Sequence, residues 1–187
     1  CAARGRSDRI RSATGSSCVL RTAPARFPAD VRANASESDW CLRIYRVIWR
    51  ASFLSADGSS MVCWFDAPDR EAVRLAMRKA GAPTGACWSG TVHEAPEPAK
   101  RPNVLVERSF EHPVRLEDIQ AIEDGASWCL EAHRVKFAQT FFSSDRKRML
   151  CLYQAPDAES VRLAQREARM PVDAVWAFSR IGPAPAQ

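Results

Sequence analysis

Met149 to Pro171 restates Met61 to Pro83 at a fixed offset of 88 residues, and no other feature limits the fold as strongly. Aligned without gaps, Trp40–Trp88 and Trp128–Trp176 agree at 23 of 49 positions, including Trp-Cys-Leu, Met-x-Cys, Ala-Pro-Asp-x-Glu and Val-Arg-Leu-Ala. Solenoid units usually run roughly 20 to 50 residues, so a period this long makes each copy a whole small domain. In a chain of 187 residues that leaves two domains of about 75 to 80 residues, each able to bury little core alone.

The boundaries follow from composition. Residues 1–17 are Arg-rich with no apolar period and are expected to be disordered. Residues 18–93 hold the first copy, degenerate at its front end, and residues 103–182 hold the second, followed by a tail at 183–187. Between the copies, 94–102 is Pro-rich and is expected to be an extended, exposed linker.

The net charge of +5 would suit a nucleic-acid binder if it lay on the folded part. It does not: residues 1–30 carry six Arg against two Asp, leaving the copies nearly neutral and without a phosphate-binding footprint. No stretch approaches the roughly 20 apolar residues of a membrane span. A cytoplasmic protein, with no nucleic-acid or membrane partner, is the expectation. Among the seven cysteines no CxxC pair occurs, which leaves zinc and redox dithiol sites of the usual spacing without support.

Periodicity supplies the elements of the second copy. Val104–Arg108 reads as a strand; Leu116, Ile119, Ile122, Ala126, Cys129, Leu130 and His133 recur at helical spacing. In Val135–Ser143, Val135, Phe137 and Phe141 share one parity, and with Arg148–Gln154 this segment forms a hairpin. Asp157 caps a second helix with the stripe Val161, Ala164 and Ala168, Pro171 stops it, and Val172–Phe178 is a last strand. The order is βαββαβ, a ferredoxin-like unit. Residues 61–65 and 149–153 are apolar on both faces, so a second layer must cover the side of the sheet away from the helices. The expected fold is therefore α+β, two tandem ferredoxin-like domains packed sheet to sheet as an intramolecular pseudo-dimeric barrel in a monomeric chain.

The run Met-x-Cys-x-Tyr-x-Ala-Pro-Asp-Ala-Glu-x-Val-Arg, with the Ala-rich helix, Pro and Val-Trp that follow, resembles a family of small domains named after a nickel-binding protein with a ferredoxin-like fold. The resemblance covers roughly 40–93 and 103–180. It implies nickel as the cofactor, held by the strand cysteine together with histidines on neighbouring elements. The cysteine stands at Cys63 and Cys151, whereas the matching positions in the second helix are Ala76 and Ala164, and those in the second strand are Ala51 and Gln139.

The candidate metal ligands are thus Cys63, Cys151 and His112, since a thiolate is a good nickel ligand and two-fold related cysteines could face a common cavity. The competing reading makes both cysteines buried core residues. His112, in Glu111-His112-Pro113, is the histidine best placed to approach Cys151. Trp40, Trp88, Trp128 and Trp176 read as packing, and Arg74, Arg78, Arg162 and Arg166 as a solvated face. No phosphate loop or nucleophile elbow is present, and Glu107, Asp57 and Asp145 read as single carboxylates without an evident partner. The first functional expectation is a non-enzymatic protein that binds a small ligand or a metal ion. An enzyme of the α+β barrel type is the alternative, with Cys151, His133 or Glu107 as the polar group in an apolar pocket. A ligand-free scaffold or regulatory domain is the third.

Overall fold

The computed structural model describes residues 11–12, 17–22, 31, 33, 38–82 and 85–183. After a two-residue strand β1 (Arg11–Ser12), the first copy comprises β2 (Ser17–Thr22), α1 (Asp39–Ile44), β3 (Ile48–Ser55), β4 (Met61–Asp66), α2 (Arg70–Lys79) and β5 (Cys87–Glu94). The second comprises β6 (Val104–Ser109), α3 (Leu116–Gly125), α4 (Ser127–Ala132), β7 (Lys136–Ser143), β8 (Arg148–Gln154), α5 (Ala158–Glu167) and β9 (Ala174–Ile181).

Local signals explain these elements. Asp69 and Asp157 accept from the backbone N–H of Ala72 at 2.8 Å and Ser160 at 2.7 Å, capping α2 and α5. The single helix expected from Leu116 to His133 breaks after Gly125, a poor helix former, into α3 and α4. The final strand runs on to Ile181 instead of stopping at Phe178, because Phe178–Ile181 pair with β3 of the other copy.

All pairings are antiparallel, and the strands follow one another as β1-β5-β2-β4-β3-β9-β6-β8-β7, with β5 also paired to β7. That last pairing closes eight strands into a barrel. Its two seams match in register: Gly90↔Ser143 through His93↔Thr140 at one, and Phe178↔Ser55 through Ile181↔Ser52 at the other, shifted by the repeat offset. A β-bulge also recurs, between Trp49 and Ala51 in β3 and between Phe137 and Gln139 in β7. The bulge overturns the single parity read for Phe137 and Phe141. It turns Phe137 towards the helices and leaves Phe141 inside the barrel.

Three cores result. Val19, Phe53, Val62, Leu105, Phe141, Leu150, Leu152 and Phe178, drawn from both copies, fill the barrel. The helices of each copy cover the outer face of its own strands, with Val73 and Ala76 in the first core and Ile119, Val161 and Ala164 in the second. Between the copies Arg21, half exposed, donates to both carboxylate oxygens of Glu107, at 3.0 and 2.9 Å, and Trp176 Nε1 donates to the same carboxylate at 2.9 Å. Glu107, read from sequence as lacking a partner, therefore ties the copies together.

Ala99 is buried in the barrel core and the backbone N–H groups of Ala95 and Ala99 donate to the carbonyls of Ala138 and Phe137, so the linker docks at these points, while Pro96, Glu97, Pro98, Lys100 and Arg101 are exposed. Of the segment expected to be disordered, Arg11–Ser12 pair with β5 and Ser17 pairs with both β4 and β5, while residues 1–10 and 13–16 lie outside the described residues. The tail lies outside them from residue 184 onward. No helix among the described residues is long and apolar enough to cross a membrane.

Candidate functional site

Strand alternation sends Val104, Val106 and then Arg108 to the helix side of β6, so a guanidinium enters the layer where apolar side chains belong. Its side chain has no solvent exposure. Three elements and the turn after α5 converge on it. Arg108 Nη1 donates to the Pro171 carbonyl at 2.8 Å, and Nη2 reaches Gln165 Oε1 of α5 at 2.9 Å, the Tyr153 hydroxyl of β8 at 3.1 Å and Glu123 Oε1 of α3 at 3.3 Å. The Tyr153 hydroxyl donates to the same Glu123 oxygen at 3.2 Å. Among the described residues, the buried Arg108 Nε has no nitrogen or oxygen partner.

The charges in this layer are set by burial against pairing. Burial opposes the Arg108 cation, but Tyr153, Cys151 and Glu123 around it more than offset that, and it stays charged. Burial pushes the Glu123 carboxyl up, with Arg108 and Tyr153 pulling the other way. It raises the Tyr153 hydroxyl well above its usual value, so that group stays protonated. Cys151 lies one step further along β8, 3.2 Å from Thr140 Oγ1, and its thiol is likewise raised by burial in spite of the nearby Arg108.

Beyond Glu123 a cavity of about 180 Å3 opens between the helices and the sheet. Leu116, Ile119 and Leu130 from the helices face Phe137 and Met149 from the strands, giving it apolar walls. The polar lining is Glu94, Gln120, Glu123, Asp124, Ser127, Thr140 and His93. His93 belongs to the first copy, and the seam pairing His93↔Thr140 carries it into the second copy's cavity. Its Nε2 lies 2.6 Å from Thr91 Oγ1, and burial lowers its pKa, which keeps the ring neutral at pH 7.

The first copy is an internal control. Where β8 places Tyr153, β4 places Phe65, and where α5 places Gln165, α2 places Met77. Sheet register puts Thr22 opposite Met61 as it puts Arg108 opposite Met149. Ile181 takes the seam position of His93 and is buried among apolar side chains. Among the described residues, the positions that carry the charged network and its cavity in the second half are thus apolar in the first at Phe65, Met77 and Ile181.

Cys63 and Cys151 do not share a cavity. Each faces its own helix layer, on opposite outer sides of the barrel, with Cys63 Sγ 2.9 Å from Ser52 Oγ. His112 sits in the loop before α3 with its side chain 85 % exposed, 4.0 Å from the Glu111 carboxylate. The structure brings these three residues to three separate places, and no group of three His, Cys, Asp or Glu among the described residues is arranged to hold a metal ion. Nickel does not fit the donor set at Cys151, where a protonated thiol is flanked by a hydroxyl and a guanidinium.

His133 pairs with Glu167 at 3.1 Å, and Asp57 and Asp145 are held by Ser55 at 2.6 Å and Ser143 at 2.5 Å. Trp88 is buried, but Trp40 and Trp128, read from sequence as packing, are 52 % and 61 % exposed. Arg74 and Arg162 pair locally with Glu71 and Glu159, as expected of a solvated face.

The network residues Arg108, Glu123, Tyr153 and Gln165 were not among the sequence candidates. A signal existed for three of them: Arg108 and Tyr153 have apolar neighbours at the strand period, and Tyr153 and Gln165 replace Phe65 and Met77 between closely similar segments.

A family model described as nickel-responsive protein SCO4226-like matches residues 18–88 and 105–177. No curated protein matches the chain. Among solved structures, a heme-binding protein from Thermus thermophilus is 7 % identical, with 92 % of this chain and 93 % of that one covered and a TM-score of 0.49. A chlorite dismutase-like protein is 12 % identical over 89 % and 95 % of the two chains, also at 0.49. An anthrone oxidase-like protein is 11 % identical over 95 % and 98 %, at 0.40. Likenesses at this level say nothing of chemistry.

Proposed function

Since the chain belongs to the nickel-responsive SCO4226-like family, whose description names a response to a metal and no reaction, we propose that it is a non-enzymatic binding protein. Its ligand site is the cavity of the second copy. The first copy completes that site, and among its described residues the matching positions are apolar. In this reading each half is a ferredoxin-like unit, supported by the strand orders β5-β2-β4-β3 and β9-β6-β8-β7, and the setting is cytoplasmic.

The observation that carries the reading is the asymmetry between the halves. A buried guanidinium is costly to desolvate, and well-packed apolar residues of similar volume are often as stable or more so. The first copy uses such residues at Phe65 and Met77. The second keeps Arg108, Tyr153 and Gln165, and they hold a carboxyl, Glu123, at the wall of an apolar cavity. A small apolar pocket with a few fixed polar groups is the usual form of a small-molecule site.

The metal reading, with Cys63, Cys151 and His112 as ligands, is tested beside it. Metal content is measured by mass spectrometry on untagged protein before and after nickel exposure, in the wild type and in the Cys63→Ala, Cys151→Ala double variant. We expect substoichiometric nickel in both. Near-stoichiometric nickel that the double variant loses would restore the thiols as ligands. The pocket itself is tested by a small-molecule thermal-shift screen of the wild type and of Gln120→Trp, which fills the cavity mouth from an exposed helix position. Compounds that stabilise the wild type should not stabilise the variant.

A further inference from the structure

The ionisable groups lining the cavity are of one sign. Glu94, Glu123 and Asp124 contribute carboxylates, His93 is neutral, and no Lys or Arg among the described residues lines the space. Arg108, the cation bonded to Glu123, has Nη1 on the Pro171 carbonyl and Nη2 shared among Gln165, Tyr153 and Glu123. It neutralises one carboxylate from the protein side and offers nothing to a ligand.

Both hydrogen bonds to the Glu123 carboxyl fall on Oε1, and among the described residues Oε2 accepts none. A carboxylate held by one oxygen, with the other left over at a cavity wall, is an acceptor fixed in advance. Ordering it costs the ligand nothing at binding. Glu94 and Asp124 are exposed at the mouth, where their field favours entry of a cation and opposes an anion. Inside, Phe137 presents an aromatic ring and Leu116, Ile119, Leu130 and Met149 form an apolar wall. At about 180 Å3 the cavity falls below the roughly 300–1,000 Å3 of drug-sized sites.

Resting on the binding function above, we propose that the ligand is a small primary amine with an apolar tail, bound as its ammonium against Glu123 Oε2 with the tail packed on Phe137, Leu130 and Met149. Aromatic rings near a cation add to such binding. Thr140 and Ser127 supply further acceptors for the remaining ammonium hydrogens.

The test uses the full chain and three probes of one shape and different charge: phenethylamine, 2-phenylethanol and phenylacetate, measured by titration calorimetry at neutral pH. The amine should bind roughly tenfold more tightly than the alcohol, and the acid should not bind. Gln120→Trp should abolish all binding. Glu123→Gln should bring the amine down to the level of the alcohol, in a protein that still unfolds cooperatively. If Glu123→Gln does not fold, Asp124→Asn decides the matter, because that side chain is exposed and outside the network. It should weaken the amine about threefold and leave the alcohol unchanged. Alcohol or acid binding as tightly as the amine, in a manner blocked by Gln120→Trp, overturns the amine and leaves the pocket. Absence of binding by all three probes, with no compound in the screen sensitive to Gln120→Trp, overturns the binding function itself.

Discussion

At the scale of single residues, Arg108 has the largest energetic stake. Its guanidinium is fully buried and meets four acceptors, while among the described residues its Nε meets no nitrogen or oxygen. Removing one partner of a buried charged pair strands the other and costs about 3–5 kcal/mol. Arg108→Met should therefore lower the unfolding free energy by about that amount in a urea titration. The quadruple variant Arg108→Thr, Glu123→Ala, Tyr153→Phe, Gln165→Met removes the charges together and uses Thr, Phe and Met as the first copy does. It should lose less than the single variant, because no stranded charge remains. Tyr153→Phe alone should cost about 1 kcal/mol. Arg108 was hard to single out from sequence because a strand-end arginine usually snorkels to solvent. Only α3 and α5, folding back over β6, close that route.

Among the elements, the β3–β4 and β7–β8 hairpins share a device. Asp57 accepts from Ser55 Oγ and from the backbone and side chain of Ser59; Asp145 accepts from Ser143 Oγ and from the Lys147 backbone. These bonds, the Ser55 hydroxyl first, hold the Asp57 carboxyl down at about 2, and the Ser143 hydroxyl leads those that lower Asp145. A carboxyl whose pKa is lower in the folded state contributes stability above its unfolded pKa. The contribution is lost as pH falls through the folded value. The melting temperature should drop between about pH 4 and pH 2, and Asp57→Asn, Asp145→Asn should flatten that part of the profile. Most elements were legible because their signals are local: Asp157 as a cap, Pro171 as a stop, the apolar runs of β4 and β8. The bulge at Ala138 was not, since nothing in the composition of Lys136–Ser143 marks where pleating skips.

For the whole molecule, neither half has a core of its own on the inner side of its sheet. Phe53 and Phe178, from different copies, meet at 5.0 Å between ring centroids, and Trp64 meets Phe141 at 5.2 Å. The chain should unfold in one cooperative transition by circular dichroism and tryptophan fluorescence together. Residues 103–183 expressed alone should form a homodimer by light scattering, because β9 and β7 carry both edges of a seam and the registers of the two seams coincide. A monomeric, folded half would contradict this account. The repeat and the two-faced β4 and β8 announced that the halves face each other. Which strands join at the seams, and that the linker puts Ala99 inside the barrel, depended on contacts between distant segments that no local pattern encodes.

His93 crosses the seam into the second copy, while Ile181 answers it with a methyl-rich side chain in the first. Two identical chains joined across the same seams would present two equal sites and lose both on dilution. Here one polypeptide supplies both contributors to the proposed site. Saturation should follow a simple hyperbola with one ligand per chain, and occupancy should depend on the ligand's concentration alone, however scarce the protein becomes.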